Sequence, residues 1–278
     1  MLGSHLAEKL KNKSIPFIGT DIEVDITDKT ALQQFLSGAQ VRWIVICSAY
    51  TAVDKAEDEE GAAFAVNAHG IKNIAELCIG TGIKIVNFST DYVFPGTQTS
   101  GYSEGDQTGP ESVYGRSKLE GEILLSTLYP DYFIFRISWL YGPYGKNFVH
   151  TMQSLFSQRD ELNVVNDQFG SPTCTGELSD FIVDLISSDS KKYGIYHFSG
   201  EGMTNWYEFA LEIYRLSVKY GLTDRNVKIN PVDSSQYPTK AKRPAYSYML
   251  KDKLHKTFGY LPKEWKYILE GYIKTIQK

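Results

Sequence analysis

The stretch IKIVNFSTDYVFPG, residues 83–96, decides the fold. Its first seven residues, Ile83 to Ser89, are apolar and β-branched with little alternation, the pattern of a strand buried on both faces, as parallel sheets require. The run ends in Ser89, Thr90 and Asp91, and then in a Pro-Gly turn signal. Similar runs occur at Ile15 to Gly19, Val41 to Cys47 and Tyr132 to Ser138. Between them, Lys29 to Leu36, Glu57 to Ile79 and Val113 to Leu128 carry helix-period apolar positions, with Asp28 placed to cap the first. The alternation predicts an α/β fold, a Rossmann-like doubly wound parallel sheet with a smaller C-terminal substrate-binding region. In such sheets ligands sit beyond the carboxyl ends of the strands, where Thr90 and Asp91 fall.

After Ser138 the rhythm loosens into aromatic and Gly/Pro-rich loops, WLYGPYGKN, DQFGSPTCTG and YPTKAKRPAYSY. Residues 1–140 are therefore expected to form the cofactor-binding domain, with a segment near 174–190 returning to it. Residues 141–278 are expected to be mainly substrate-binding. A chain of 278 residues with 42 % hydrophobic and 22 % charged residues can bury one large core. A net charge of −4 offers no field for a polyanion, so no nucleic acid is expected as a partner. Cys47, Cys78 and Cys174 form no C-x-x-C pair, and the five histidines, His5, His69, His150, His197 and His255, show no ligand spacing, so no metal site is read from them. No apolar run is long enough to span a bilayer, and the cytoplasm is the expected compartment.

Tyr114 and Lys118, in SVYGRSKLEGE, form a Y-x-x-x-K pair. From 19 Tyr and 22 Lys, about 1.5 such pairs are expected by composition alone, so the pair draws its meaning from context. Four residues apart on a helix, phenol and ammonium share a face. The cation is then expected to lower the phenol's pKa, so that Tyr114 can exchange a proton with a carbonyl. Thr90 supplies a hydroxyl for the same carbonyl oxygen. Thr90 and Asp91 in isolation could equally make a strand-ending turn.

Several stretches in order, DITD (25–28), SAYTAVDKAE (48–57), STDYVFPG, YGRSKLEGE, RISWLYG (136–142), DQFGSPT (167–173), GIYHFSGEG, NWYEFA and AKRPAYS, resemble the dTDP-4-dehydrorhamnose reductases of the extended short-chain dehydrogenase/reductase superfamily. The resemblance spans nearly the whole chain. It implies reduction of dTDP-4-dehydro-L-rhamnose to dTDP-L-rhamnose by NADPH or NADH. Thr90, Tyr114 and Lys118 match the catalytic trio, with Tyr114 as proton donor and Lys118 also a ribose ligand. Asp25 and Ile26 match the segment beside the adenine, and Ala49, Tyr50 and Thr51 the loop along ribose and pyrophosphate. Asp91 and Trp139 match sugar contacts, and Arg243 the basic segment facing the nucleotide diphosphate. Asp21, 18 residues after Gly3, stands where an acid can bind an adenosine ribose 2′-OH, which leans toward NADH. Relatives dimerise, some with a bridging metal such as Mg2+, so a homodimer is an expected partner state. Two rivals stay open: a non-catalytic regulatory subunit resembling methionine adenosyltransferase beta, and a nucleotide-sugar epimerase of the same superfamily.

The resembling family's cofactor loop reads G-x-x-G-x-x-G after a first strand. Met1-Leu2-Gly3-Ser4 matches only its tail, with Leu2 and Gly3 at the cofactor. The expectation is an internal methionine preceded by about ten residues, because a central strand's five or six buried side chains stabilise a domain by roughly 10 kcal/mol.

Overall fold

The computed structural model describes residues 1–276. Helix α1 (Leu2–Asn12) buries Leu2, Leu6 and Leu10, one turn apart on a single face. Their burial contributes about 5 to 9 kcal/mol. Helix α2 (Lys29–Ser37) is capped as its sequence predicts, since the Asp28 carboxylate accepts from the N–H groups of Thr30 (2.9 Å) and Ala31 (3.0 Å). Strand β1 (Trp43–Ile46) leads to the short helices α3 (Val53–Ala56) and α4 (Glu60–Phe64), a π-helical turn over Ala65–His69, and α5 (Gly70–Cys78). The pattern over 57–79 reads as one helix; the structure breaks it with the π turn, where buried Asn67 faces a loop instead of apolar neighbours. Strand β2 (Lys84–Thr90), buried at every position, is followed by α6 (Val113–Leu128), whose first turn is capped by the Ser112 hydroxyl. Strand β3 (Tyr132–Ile137) completes the first half.

The second half comprises β4 (Leu140–Tyr141), α7 (Phe148–Phe156), β5 (Glu161–Val165), β6 (Phe169–Gly170) and β7 (Thr173–Cys174). It continues through α8 (Thr175–Ser187), β8 (Gly194–His197), β9 (Thr204–Asn205), α9 (Trp206–Lys219) and β10 (Lys228–Val232). Helices α10 (Asp252–Phe258) and α11 (Trp265–Ile276) follow.

The main sheet is parallel, in the order β1-β2-β3-β8, with Ile46 opposite Asn87, Thr90 opposite Ile137 and Arg136 opposite His197. One face packs on α1 and α8 through Phe133, Phe135, Leu178, Phe181 and Ile182. Lys9 and Lys13 of α1 pair with Asp180 (3.0 Å) and Asp184 (2.7 Å) of α8. The other face packs on α2, α5 and α6 through Ile71, Ile74, Ile85, Leu125 and Ile134. Helices on both faces of a parallel sheet make the predicted doubly wound, Rossmann-like architecture. A second core gathers α7, α9 and α11 around Phe156, Phe209, Ile213, Trp265 and Leu269. The small ladders β4–β7, β6–β9 and β5–β10 lie in this half. Among the described residues no helix is long and apolar enough to cross a membrane.

Ile15 to Gly19, expected as a strand, forms none. A strand exists through its ladder of hydrogen bonds, and this segment pairs with no strand among the described residues. Phe17 and Ile18 are 45 % and 58 % exposed, and β1 stands at the edge of the sheet.

Candidate active site

Thr90 closes β2 with its side chain buried. Its hydroxyl donates to Asp91 Oδ1 (3.0 Å), accepts from the Tyr92 N–H (3.2 Å), and exerts a lowering influence on the Tyr114 phenol. Tyr114 stands in the first turn of α6, packed edge-on against the Tyr92 ring at 5.6 Å. Lys118 and Glu122 follow on the same helix face at four-residue intervals, both almost fully buried. The sheet therefore presents a hydroxyl, an acid, a phenol and an ammonium at one strand end.

Electrostatics differ here from what the spacing suggests. Burial raises the Tyr114 phenol above its usual value, and the nearby Asp91 and Tyr92 raise it further; Thr90 alone pulls it down. The ammonium does not acidify the phenol, because desolvation of the hydroxyl dominates. Tyr114 is consequently neutral at physiological pH, the form that can give a proton. Burial lowers Lys118 to about 8, opposed by the carboxylate of Glu122. Asp91 is pushed up to about 6 by burial, against hydrogen bonds from Ser247 and Thr90, and its Oδ2 has no partner among the described residues. A buried, unpaired carboxylate oxygen is costly unless a ligand hydroxyl completes it.

Sequence reasoning passed over three supports of this cluster. Asn67, in the π turn, accepts from the Tyr50 N–H (2.9 Å), donates to the Tyr50 carbonyl (3.0 Å), and donates to Ser117 Oγ (3.0 Å). Ser117 in turn donates to the Tyr114 carbonyl (2.8 Å), so the loop Ala49–Tyr50–Thr51 is tied to α6. A π turn inside a helix is a frequent functional device; its signal in the sequence was a polar residue on the apolar stripe of 57–79. Glu122 is held by Arg136 of β3 through Nε (3.0 Å) and Nη2 (2.7 Å), with the guanidinium over the Phe94 ring at 5.0 Å. Tyr114, Lys118 and Glu122 at regular spacing were readable in advance. Ser247, four residues past Arg243, faces Asp91.

The remaining expected residues surround this centre to different degrees. Trp139 follows β3 with φ at 47°, the left-handed region a bulky residue rarely adopts. Arg243 donates to Asp54 (2.9 Å) and approaches the Tyr92 hydroxyl (3.5 Å), leaving its Nε buried and unpaired. Its neighbours Lys240 and Lys242 pair with Asp58 and Glu111, so three ion pairs strap this segment to the 54–58 and 111 regions. Leu2 sends its side chain into the core, and only its backbone is free to meet a ligand. Gly3 lies so near Cys47 that a β-carbon there would stand 3.2 Å from Cys47 Cβ, which sets the open first turn of α1 beside the loop after β1. No side chain caps that turn. The N–H groups of that turn suit a diphosphate, and the Lys118 ammonium suits a ribose hydroxyl. Ile26 packs against Gly70, while Asp25 makes a local turn with Thr27 and Asp21 is exposed. None of the contacts among the described residues joins Asp21, Asp25 or Ile26 to the Tyr114 cluster. Nor do three or more His, Cys, Asp or Glu side chains converge to hold a metal, so the bridging Mg2+ finds no support.

A family model described as the RmlD substrate binding domain matches residues 1–278. A dTDP-4-dehydrorhamnose reductase of Aggregatibacter actinomycetemcomitans is 40 % identical over 276 residues, 97 % of this chain and 94 % of that protein. The crystal structure of a dTDP-4-dehydrorhamnose reductase from Clostridium acetobutylicum superposes with a TM-score of 0.93 at 40 % identity, covering 100 % of this chain and 96 % of that one. That of the Bacillus anthracis dTDP-4-dehydrorhamnose reductase in complex with NADP superposes with a TM-score of 0.91 at 38 % identity, covering 99 % and 95 %.

Proposed function

The chain belongs to the RmlD substrate binding domain family, and from that premise we propose that it reduces the C4 ketone of dTDP-4-dehydro-L-rhamnose to dTDP-L-rhamnose, with Tyr114 as proton donor. The observation that carries this reading is the convergence at the end of β2 of the Thr90 hydroxyl, bonded to Asp91, with the first turn of α6, where the Tyr114 ring packs on Tyr92. A reduced nicotinamide, when bound, supplies the hydride. Tyr114 gives its proton to the ketone oxygen as that oxygen gains charge, and Thr90 turns its hydrogen from Asp91 to the same oxygen. Lys118, charged below about pH 8, offsets the negative charge left on the phenol. Asp91 and Ser247 take the sugar's hydroxyls, which completes the unpaired Oδ2.

Removing the phenol hydroxyl isolates the proton step. Tyr114→Phe should bind cofactor as the parent does but turn over about 10² to 10⁴-fold more slowly. The assay follows oxidation of the nicotinamide at saturating keto sugar. An unaltered rate for Tyr114→Phe would remove Tyr114 from the mechanism. The same titration, run with NADH and NADPH, reads cofactor preference: acidic Asp21 and Glu23 disfavour a 2′-phosphate, so NADH should show the lower KM.

A further inference from the structure

Trp139 is held in an unfavourable conformation by its surroundings. Its left-handed backbone is unfavourable for a non-glycine residue, and such strain persists only where neighbours over-determine it. Two neighbours do so. The indole of Trp206, the first residue of α9, lies parallel to that of Trp139 with ring centroids 3.8 Å apart and planes 15° apart. Trp206 is itself backed by Phe148 at 4.6 Å and fixed in place by the Asn205 cap of its helix. Gly170 supplies the second constraint. A β-carbon there would stand 2.9 Å from Trp139 Cζ2 and 2.9 Å from Ser247 Oγ, so indole edge and hydroxyl converge over bare backbone. Ser247 faces Asp91, and Asp91 bonds Thr90. The stacked indoles are thus continuous with the groups that meet the sugar.

We infer that Trp206 is a positioning residue for the sugar: stacked on one face of Trp139, it sets the indole as a flat wall whose other face receives the carbon–hydrogen face of a hexopyranose. This rests on the keto-sugar reading above. Trp206 touches neither the reacting oxygen nor the cofactor's phosphates, so its loss acts on the sugar's grip and leaves the chemical step alone.

The test uses the full chain and compares dTDP-L-rhamnose with dTDP, which lacks the sugar. Trp206→Ala should raise KM for the keto sugar, and the Kd of dTDP-L-rhamnose, by about threefold to tenfold, the worth of an aromatic stack. Affinity for dTDP and kcat should stay within about twofold of the parent, and Trp206→Phe should recover most of the loss. Trp206→Ala should abolish the exciton couplet of the paired indoles in far-UV circular dichroism, which reports the stack without any ligand. A Trp206→Ala protein that loses the couplet yet keeps its full preference for dTDP-L-rhamnose over dTDP would overturn the inference. Equal losses toward dTDP and dTDP-L-rhamnose would also overturn it, since they mark a general loosening. Failure of the parent chain to oxidise the nicotinamide against keto sugar would be a different result, striking the underlying reading and the inference together.

Discussion

Replacing Glu122 by glutamine tests how the catalytic helix is wired to the sheet. Glu122 and Arg136 are 2 % and 4 % exposed at their side chains and meet through two nitrogens of one guanidinium. Glutamine keeps the shape and removes the charge, leaving a buried guanidinium without its counter-ion. Breaking such a pair from one side costs about 3–5 kcal/mol. With a urea slope near 3 kcal/mol/M for a large domain, the unfolding midpoint should fall by about 1 to 2 M. The second effect reaches the active site. Glu122 is the one group that raises Lys118 against burial, at about 6 Å, the spacing of one helical turn. At an effective dielectric constant of about 20 that interaction is worth close to 3 kcal/mol, and because Arg136 acts on Lys118 in parent and variant alike, up to the whole of it is lost. Losing an influence that raises the ammonium's pKa lowers it, so Lys118 discharges at lower pH. The alkaline limb of kcat/KM, set by Lys118 at about 8 in the parent, should move down by up to about 2 pH units. Arg136→Lys, which keeps a charge and loses the bidentate fit, should lower the urea midpoint with the limb nearly unmoved. An unchanged midpoint together with an unchanged limb in Glu122→Gln would refute the reasoning.

Two further predictions concern the same centre. Asp91, raised from 3.8 to about 6, holds its proton more tightly folded than unfolded, so the stability it confers is full below pH 4 and is lost as pH rises through 6. Asp91→Asn should therefore raise the unfolding free energy in urea at pH 7.5 by up to about 3 kcal/mol, flatten the pH 4–6 dependence, and slow keto-sugar reduction; a parent-like pH dependence would count against it. Gly121→Ala sets a β-carbon 2.1 Å from the Asn67 carbonyl oxygen, which forces α6 away from the π turn. A loss of about 1–3 kcal/mol in thermal or urea unfolding, with weaker cofactor binding, is expected, and a neutral substitution would show that the two helices are not in contact in solution.

Much of the architecture was legible because parallel strands and their helices obey simple periods. Val113–Leu128 is a helix with the boundaries its pattern predicts, and β2 and β3 fall within one residue of their apolar runs. Ile15 to Gly19 has the composition of a strand and pairs with no strand among the described residues, a fact no local pattern contains. The segment 57–79 shows the same limit on a smaller scale, since helix period alone cannot reveal the extra residue that turns Asn67 toward Tyr50. At the site, spacing placed Tyr114 and Lys118 on one helix face and the apolar run placed Thr90 at a strand end, but the sign of the phenol's shift depended on burial, which spacing does not report. Trp206 and Gly170 were invisible as site residues because their contacts with Trp139 cross more than 30 positions of chain.

The π turn at Ala65–His69 absorbs one residue more than a regular α turn over the same rotation. Regular α geometry with every residue kept would advance everything downstream by about 100° around the helix axis. Ile71, Ile74 and Cys78 would swing from the sheet toward water, and Gly70 would leave its seat against Ile26. The irregular turn is thus a phase adjuster: it lets one continuous helix obey two masters, a polar clasp at its middle and a greasy stripe at its end.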